Sequence, residues 1–348
     1  MSTLSQKPRG ILQSGWSSCV EDYAIAGRWS SDGEILVVGD AAGGVFGFQA
    51  KSGTVLWSHS GIHEGGVLSM ATHPNHDLIT TAGQDGKILF CDIKSGVIRQ
   101  TIELGSEWIE YLEWSSDGRW LAASCSRRVH VYNIDGDEIW RSDHHPSTIS
   151  AIAWLKSKEL ATACYGQVKF FKAASGQTTQ ILEWKGSLVS MVLSSDGDIV
   201  ACGSQDNTVH FWRRSTTQDS MMAGYSGKPS VMAFDHTDTL LATGGGKSIT
   251  VWSFHGNGPE GTRPGVLEFH RESITSLTFA PHGMMLASGS RGGSVALWVL
   301  KNDGEGHAVG AALLSSRVSG LVWHPSGASL AAFDAMGGVT VWQVDRIL

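Results

Sequence analysis

The sequence predicts an all-β protein in which eight small antiparallel sheets stand radially about an axis and close into a ring. Three observations carry that expectation. A bulky residue opens a turn at Trp29, Thr72, Trp114, Trp154, Leu193, Phe234, Phe279 and Trp323, at intervals of 39 to 45 residues. A short V-x-x-aromatic type of strand closes each unit, ending at Phe48, Cys91, Tyr132, Phe171, Trp212, Trp252, Trp298 and Trp342. Finally, 43 glycines with only 17% charged residues suit short strands joined by tight turns. A length of 348 residues would by itself suggest two or three domains. Units of this size cannot bury their own apolar faces, however, so they must stack into one body spanning residues 1–348.

The elements follow in chain order. Residues 1–8 are expected to be flexible, and residues 9–15, around Gly10-Ile-Leu-Gln-Ser14, form a strand with no partner nearby in sequence. Each unit then supplies three runs, a, b and c. The seventh shows them best: Ile274–Phe279, Met285–Ser290 and Ser294–Trp298, separated by Pro/Gly turns. A fourth run, d, follows at Thr54–His59, Val97–Leu104, Glu138–Arg141, Thr178–Trp184, Met221–Tyr225, Val266–His270 and Ala308–Leu314. Four antiparallel strands repeated radially make the blade of a β-propeller. The eighth unit has no d run before Leu348. Residues 9–15 are therefore expected to dock there as the outer strand, closing the ring and removing open sheet edges. A ring of seven is the alternative. It requires one irregular unit, and the fourth is the weakest, because Lys156-Ser-Lys158 replaces its Pro/Gly turn.

These motifs resemble those of WD-repeat proteins over nearly the whole chain. The unit length, the Phe/Trp-x-Pro-x-Gly turn, the Leu-Ala-Ser-Gly-Ser strand and the closing Val-x-x-Trp at Trp212, Trp252, Trp298 and Trp342 all match. The Trp-Asp dipeptide ends none of the units. The family's His, Ser/Thr, Asp, Trp tetrad is nearest to complete in the second unit, as His63, Thr81 and Asp85, with Cys91 in the Trp position. The fifth unit keeps Asp206 and Trp212 but has no His. The resemblance implies an assembly platform that binds a protein or peptide, without catalysis.

Composition narrows the functions. A net charge of −7 argues against sequence-independent nucleic-acid binding, which rests on neutralising phosphates. The pairs Arg127–Arg128 and Arg213–Arg214 read as solvated charges. No stretch is apolar for long enough to span a membrane, and the first residues lack the apolar core of a signal peptide. Cys19, Cys91, Cys125, Cys164 and Cys202 include no C-x-x-C pair, and their spacing is that of the repeat. They read as small apolar residues in a reducing compartment, the cytoplasm. P-loop, G-x-S-x-G and H-E-x-x-H motifs are missing.

Two faces then offer sites. The d–a and b–c turns are expected to display Trp108, Tyr165, Trp184 and Tyr225, with Arg127, Arg291 and Arg317 among them. Trp, Tyr and Arg are the residue types that dominate interface energetics. Glu21, Asp22, Glu64, Glu107, Glu110 and Asp143 near this rim make a basic peptide the complementary partner. The opposite face carries His73, His236, His282 and His324 in a–b turns and His255 in a c–d connection. Convergent imidazoles there would suit zinc or copper, and the chain would then be a metal-linked accessory protein. A third reading, an enzyme with a channel site, would rest on Glu110 and Glu113. Three residues apart on a strand, these are expected to point to opposite faces.

Overall fold

The computed structural model describes residues 7–156, 158–256 and 258–345, and every described element is a strand or a turn. The flexibility expected of residues 1–8 falls mostly on residues 1–6, outside the described residues, as does Ser157 of the fourth unit's turn.

The eight inner strands are Ala24–Trp29, Val67–Thr72, Ile109–Trp114, Ala151–Leu155, the second half of Thr178–Leu193, Val231–Phe234, Ile274–Phe279 and Val318–Trp323. Each packs against the next, and the last returns to the first, so the circuit is closed. Eight apolar clusters lie between consecutive units among the described residues. The one joining the last unit to the first, for example, gathers Trp29, Leu36, Val38, Phe48, Phe333 and Val341. This is how units too small to own a core share one.

Counted by continuous pairing, the sheets number seven, which corrects the expectation of eight separate ones. No unit has been lost. The fourth and fifth share a six-stranded sheet through two long strands, Glu159–Lys172 and Thr178–Leu193. Up to Ser187 the second of these pairs with the fourth unit, and from Leu188 onward with Val200–Ser204 of the fifth. The cause is local. The turns that interrupt other units are here only Tyr165-Gly166 and Lys185-Gly186, with no Pro, Asp or His to break the extended backbone. The irregular unit is thus the fourth, the one whose turn chemistry is weakest.

The closing strand is present but displaced from 9–15. Leu12–Cys19 pairs antiparallel with Gly338–Val344, from Leu12 opposite Val344 to Cys19 opposite Gly338. Arg9–Gly10 instead pairs with Ala311 and Gly310 at the outer edge of the seventh unit. One segment therefore straps two neighbouring sheets. Gly10 makes the crossing possible: its φ is +71° and a Cβ there would stand 2.0 Å from Val309 O. Leu12, 1% exposed, anchors the strap in the core between the seventh and eighth units.

Three of the tryptophans that open a–b turns tie neighbouring inner strands together. Trp29 Nε1 donates to Val322 O at 3.2 Å, Trp154 Nε1 to Glu113 O at 2.9 Å and Trp323 Nε1 to Thr278 O at 3.2 Å. Buried indole N–H groups need an acceptor, and the preceding strand's carbonyl supplies it. Two outer strands end earlier than expected, at Gln218–Met222 and Gly265–Leu267. Tyr225 and His270 leave these strands to bond inward.

Candidate functional site

The face made by d–a and b–c turns is built on one recurring anchor. In the second unit His63 Nδ1–H donates to Asp85 Oδ1 at 3.0 Å, and Nε2 meets the Thr81 hydroxyl at 2.9 Å, eighteen positions on. Burial lowers the pKa of His63, opposed by the Asp85 carboxylate. The seventh unit repeats the arrangement in a form the sequence reading missed: His270 bonds Ser294 and Ser288 at 2.7 Å each, and Trp298 Nε1 donates to Ser288 Oγ at 2.8 Å. In the fourth, His145 Nδ1–H donates to Arg127 O at 3.1 Å and Nε2 accepts from Thr162 at 2.9 Å.

Two of the predicted contact aromatics occupy this same anchor position. The Tyr225 hydroxyl accepts from Trp252 Nε1 at 2.8 Å and from Thr243 Oγ1 at 3.1 Å, again eighteen residues on. Tyr225 therefore stands where other units have His. Trp184 lies eighteen residues before Cys202 and packs in the core with Cys202 and Trp212, stacked on His210 at 3.7 Å. Its buried indole N–H has no hydrogen-bond partner among the described residues. Both are half-buried structural residues, which corrects the expectation that they are displayed. The spacing to the b-strand Thr or Cys was the signal that would have shown this.

The remaining residues separate into two arcs. Trp108 is 52% exposed and Tyr165 is 57% exposed, on consecutive turns of the third and fourth units, and exposed Arg127 lies on the b–c turn between them. The turn 142–150 links them: Arg127 Nε donates to His145 O at 2.7 Å, and Tyr165 N–H donates to Ser147 Oγ at 2.9 Å. Exposed Glu107 and Asp143 lie in the same arc. Arg291 and Arg317, also exposed, stand across the ring on the seventh unit's turns. The structure thus brings Trp108, Arg127 and Tyr165 together and leaves the other two arginines apart. Of the basic pairs read as solvated, Arg214 is not: it lies 3.8 Å over the Phe170 ring and pairs with Glu159 at 3.0 Å.

The histidines of the opposite face do not gather. His73 Nε2–H donates to Gly118 O at 2.9 Å and its Nδ1 accepts two backbone N–H groups. His324 does the same for Gly33 O at 3.0 Å. Each staples its turn to that of the next unit, edge-on to Trp114 and Trp29 respectively. His236, His255 and His282 are exposed on separate turns. Among the described residues no three His, Cys, Asp or Glu side chains are placed to hold a metal ion. Cys91, Cys125, Cys164 and Cys202 are buried thiols, as their spacing implied, and burial pushes Cys91 up to about 12; Cys19 on the closing strand is exposed, which corrects the reading of all five as interior residues.

A bulge between Ile109 and Tyr111 breaks strand alternation in the third unit. Glu110 and Glu113 are both half-buried; Glu113 lines the channel cavity with Tyr111, and Glu110 is not part of that wall.

Comparison with known proteins agrees with the geometry. The model of the WD domain, G-beta repeat, matches residues 54–92, 98–133, 176–213 and 261–299. Each match begins at or just before an outer strand and ends with the third strand of the next unit, so sequence repeat and sheet are offset by one strand. The chain is an all-β WD-repeat β-propeller. It is 25% identical over 299 residues to telomerase protein component 1 of Mus musculus, covering 81% of this chain but 11% of that protein. It is also 25% identical over 256 residues to cell division cycle 20.5, cofactor of APC complex, of Arabidopsis thaliana, covering 68% of this chain and 56% of that one. The chain therefore spans from a tenth to just over half of these relatives. The crystal structure of the computationally designed Ika8 protein shares the fold, with a TM-score of 0.80, 20% identity, and coverage of 94% of this chain and 98% of that one. WD-repeat propellers are typically non-catalytic platforms for protein interaction.

Proposed function

We propose that this chain is a non-catalytic interaction platform that holds a basic protein or peptide segment on the arc formed by Trp108, Arg127 and Tyr165. One observation carries the reading: two large aromatic side chains stand more than half exposed on turns of neighbouring units, while the aromatics of the neighbouring arc are held inward. Exposed aromatics in a cluster are the usual energetic centre of a contact surface. Glu107 and Asp143 favour a Lys- or Arg-bearing partner, whose cation gains further over an indole face. The relatives' roles as a telomerase component and an APC cofactor fit a subunit of a larger assembly. Buried unpaired thiols fit a reducing compartment, and we place the protein in the cytoplasm on that ground. The test is affinity capture followed by mass spectrometry with the wild type, a Trp108→Ala/Tyr165→Ala variant and an Arg291→Ala/Arg317→Ala variant. Partners lost only in the first variant support the arc. Partners retained there, or lost only in the second, refute it.

A further inference from the structure

The eight inner strands carry only three charged residues: Arg28, Glu110 and Glu113. Two of them, Arg28 from the first unit and Glu113 from the third, line one cavity of about 550 Å³ at the a–b end of the channel. Tyr111, Ser69, Ile152 and Val322 are among the other residues of its wall. That volume lies within the usual range for small-ligand sites.

Arg28 is exposed to the space in the channel, and the protein around that space lowers its pKa from the ordinary value, opposed by the charge of Glu113. Among the described residues its guanidinium donates one hydrogen bond, Nη1 to Gly27 O at 2.9 Å. The remaining N–H donors of a guanidinium form a fork that matches a carboxylate. Glu113 faces it across the second unit's strand without forming an ion pair. Burial pushes the Glu113 carboxyl up to about 7, opposed by the N–H of Trp154 and by the charge of Arg28. Neither flanking strand, Val67–Thr72 nor Ala151–Leu155, brings a charged group. On its own strand Glu113 has Glu110 and Tyr111, both of whose pKa values burial raises. A cation entering here meets Arg28. An anion meets a cation with free donors and a carboxyl that carries no charge when protonated.

We propose that this cavity is a carboxylate-binding site, in which the Arg28 fork holds the anion and the Glu113 carboxyl across the cavity tunes how tightly it is held. The carboxylate can come from a small organic acid or from the C-terminus of a polypeptide reaching in from the a–b face. The site is separate from the Trp108–Tyr165 arc and stands or falls independently of it.

The test is calorimetric titration of the full chain at pH 6 and pH 8 with three probes: succinate, a hexapeptide with a free C-terminus, and the same peptide amidated. Succinate binding, free-peptide binding, or both, abolished by Arg28→Gln, supports the site and identifies the source. Affinity should fall about tenfold from pH 6 to pH 8, as the protonated fraction of a group near pKa 7 does. Glu113→Gln, which is uncharged at any pH, should remove that dependence while retaining binding. If Arg28→Gln melts early, Arg28→Lys replaces it, with weakened rather than abolished binding expected. No binding by either carboxylate probe, equal binding of the amide, or binding unchanged in the Arg28 variants overturns the proposal.

Discussion

Two neighbouring arcs of one face each carry two aromatic residues, and they use them in opposite ways. Over the third and fourth units, Trp108 and Tyr165 face solvent. Over the fifth and sixth, Trp184 stacks on His210 and Tyr225 accepts hydrogen bonds from Trp252 and Thr243. The difference is position within the repeat. An aromatic that falls eighteen residues before the b-strand Thr, Ser or Cys enters the anchor position that His63 and His270 occupy. One that falls elsewhere on a turn has nothing to pack under. Exposure on this face is therefore set by register within the unit and not by residue type.

The largest effects should come from breaking the inward anchors, those of the fifth and sixth units and His270 of the seventh. Trp184→Ala removes a half-buried indole from a packed cluster and should cost about 3 kcal/mol, at the lower end for such truncations. His270→Ala strips hydrogen bonds from buried Ser288 and from Ser294, and should cost about 2 kcal/mol. Tyr225→Phe leaves Trp252 Nε1 without its acceptor, while Thr243 keeps Thr250 O, and should cost about 1.5 kcal/mol. Trp108→Ala and Tyr165→Ala should each stay within about 0.5 kcal/mol of wild type. Urea denaturation of the five variants checks this ordering. Equal costs for the two arcs would erase the distinction between them.

Acid sharpens the comparison. Burial lowers the pKa of His145, His210 and His270 to about 4 each, below the ordinary 6.5. The unfolded chain therefore binds more protons than the folded one between those values. The neutral histidines contribute stability that is complete above pH 6.5 and lost as pH falls toward 4. The loss should be smaller in His270→Ala, which removes one of the three. Melting temperatures measured from pH 7 to pH 4 would show it.

Glu113 has the opposite sign and a smaller effect. Its folded pKa of about 7 lies above its ordinary 4.5, so its contribution is intact below 4.5 and is lost as pH rises through 7. Glu113→Gln should raise the melting temperature by about 2 K at pH 8 and leave it unchanged at pH 4.

Periodicity made the fold legible, because a shared core forces every unit to repeat the same apolar positions. The closing strand was legible from an eighth unit short of one strand, although its register was not: the glycine-permitted crossing at Gly10 depends on the approach of Val309. Lys156–Lys158 marked the fourth unit as irregular, but the joining itself arises at Tyr165-Gly166 and Lys185-Gly186, where no Pro, Asp or His breaks the strand. The site was less legible. Trp108, Arg127 and Tyr165 were chosen by residue type and are exposed on turns of the third and fourth units, but Trp184 and Tyr225 were chosen by the same rule and are held inward. Strict alternation separated Glu110 from Glu113, and the bulge at Ile109/Tyr111 in that strand was not foreseen. A bulge leaves no compositional trace.

The most direct measurement of the proposed surface is backbone hydrogen–deuterium exchange of the chain with and without its captured partner. Protection should concentrate at residues 105–108, 126–128, 143–148 and 165–167. Protection centred on 291–293 and 315–317, or on the a–b turns, would contradict it.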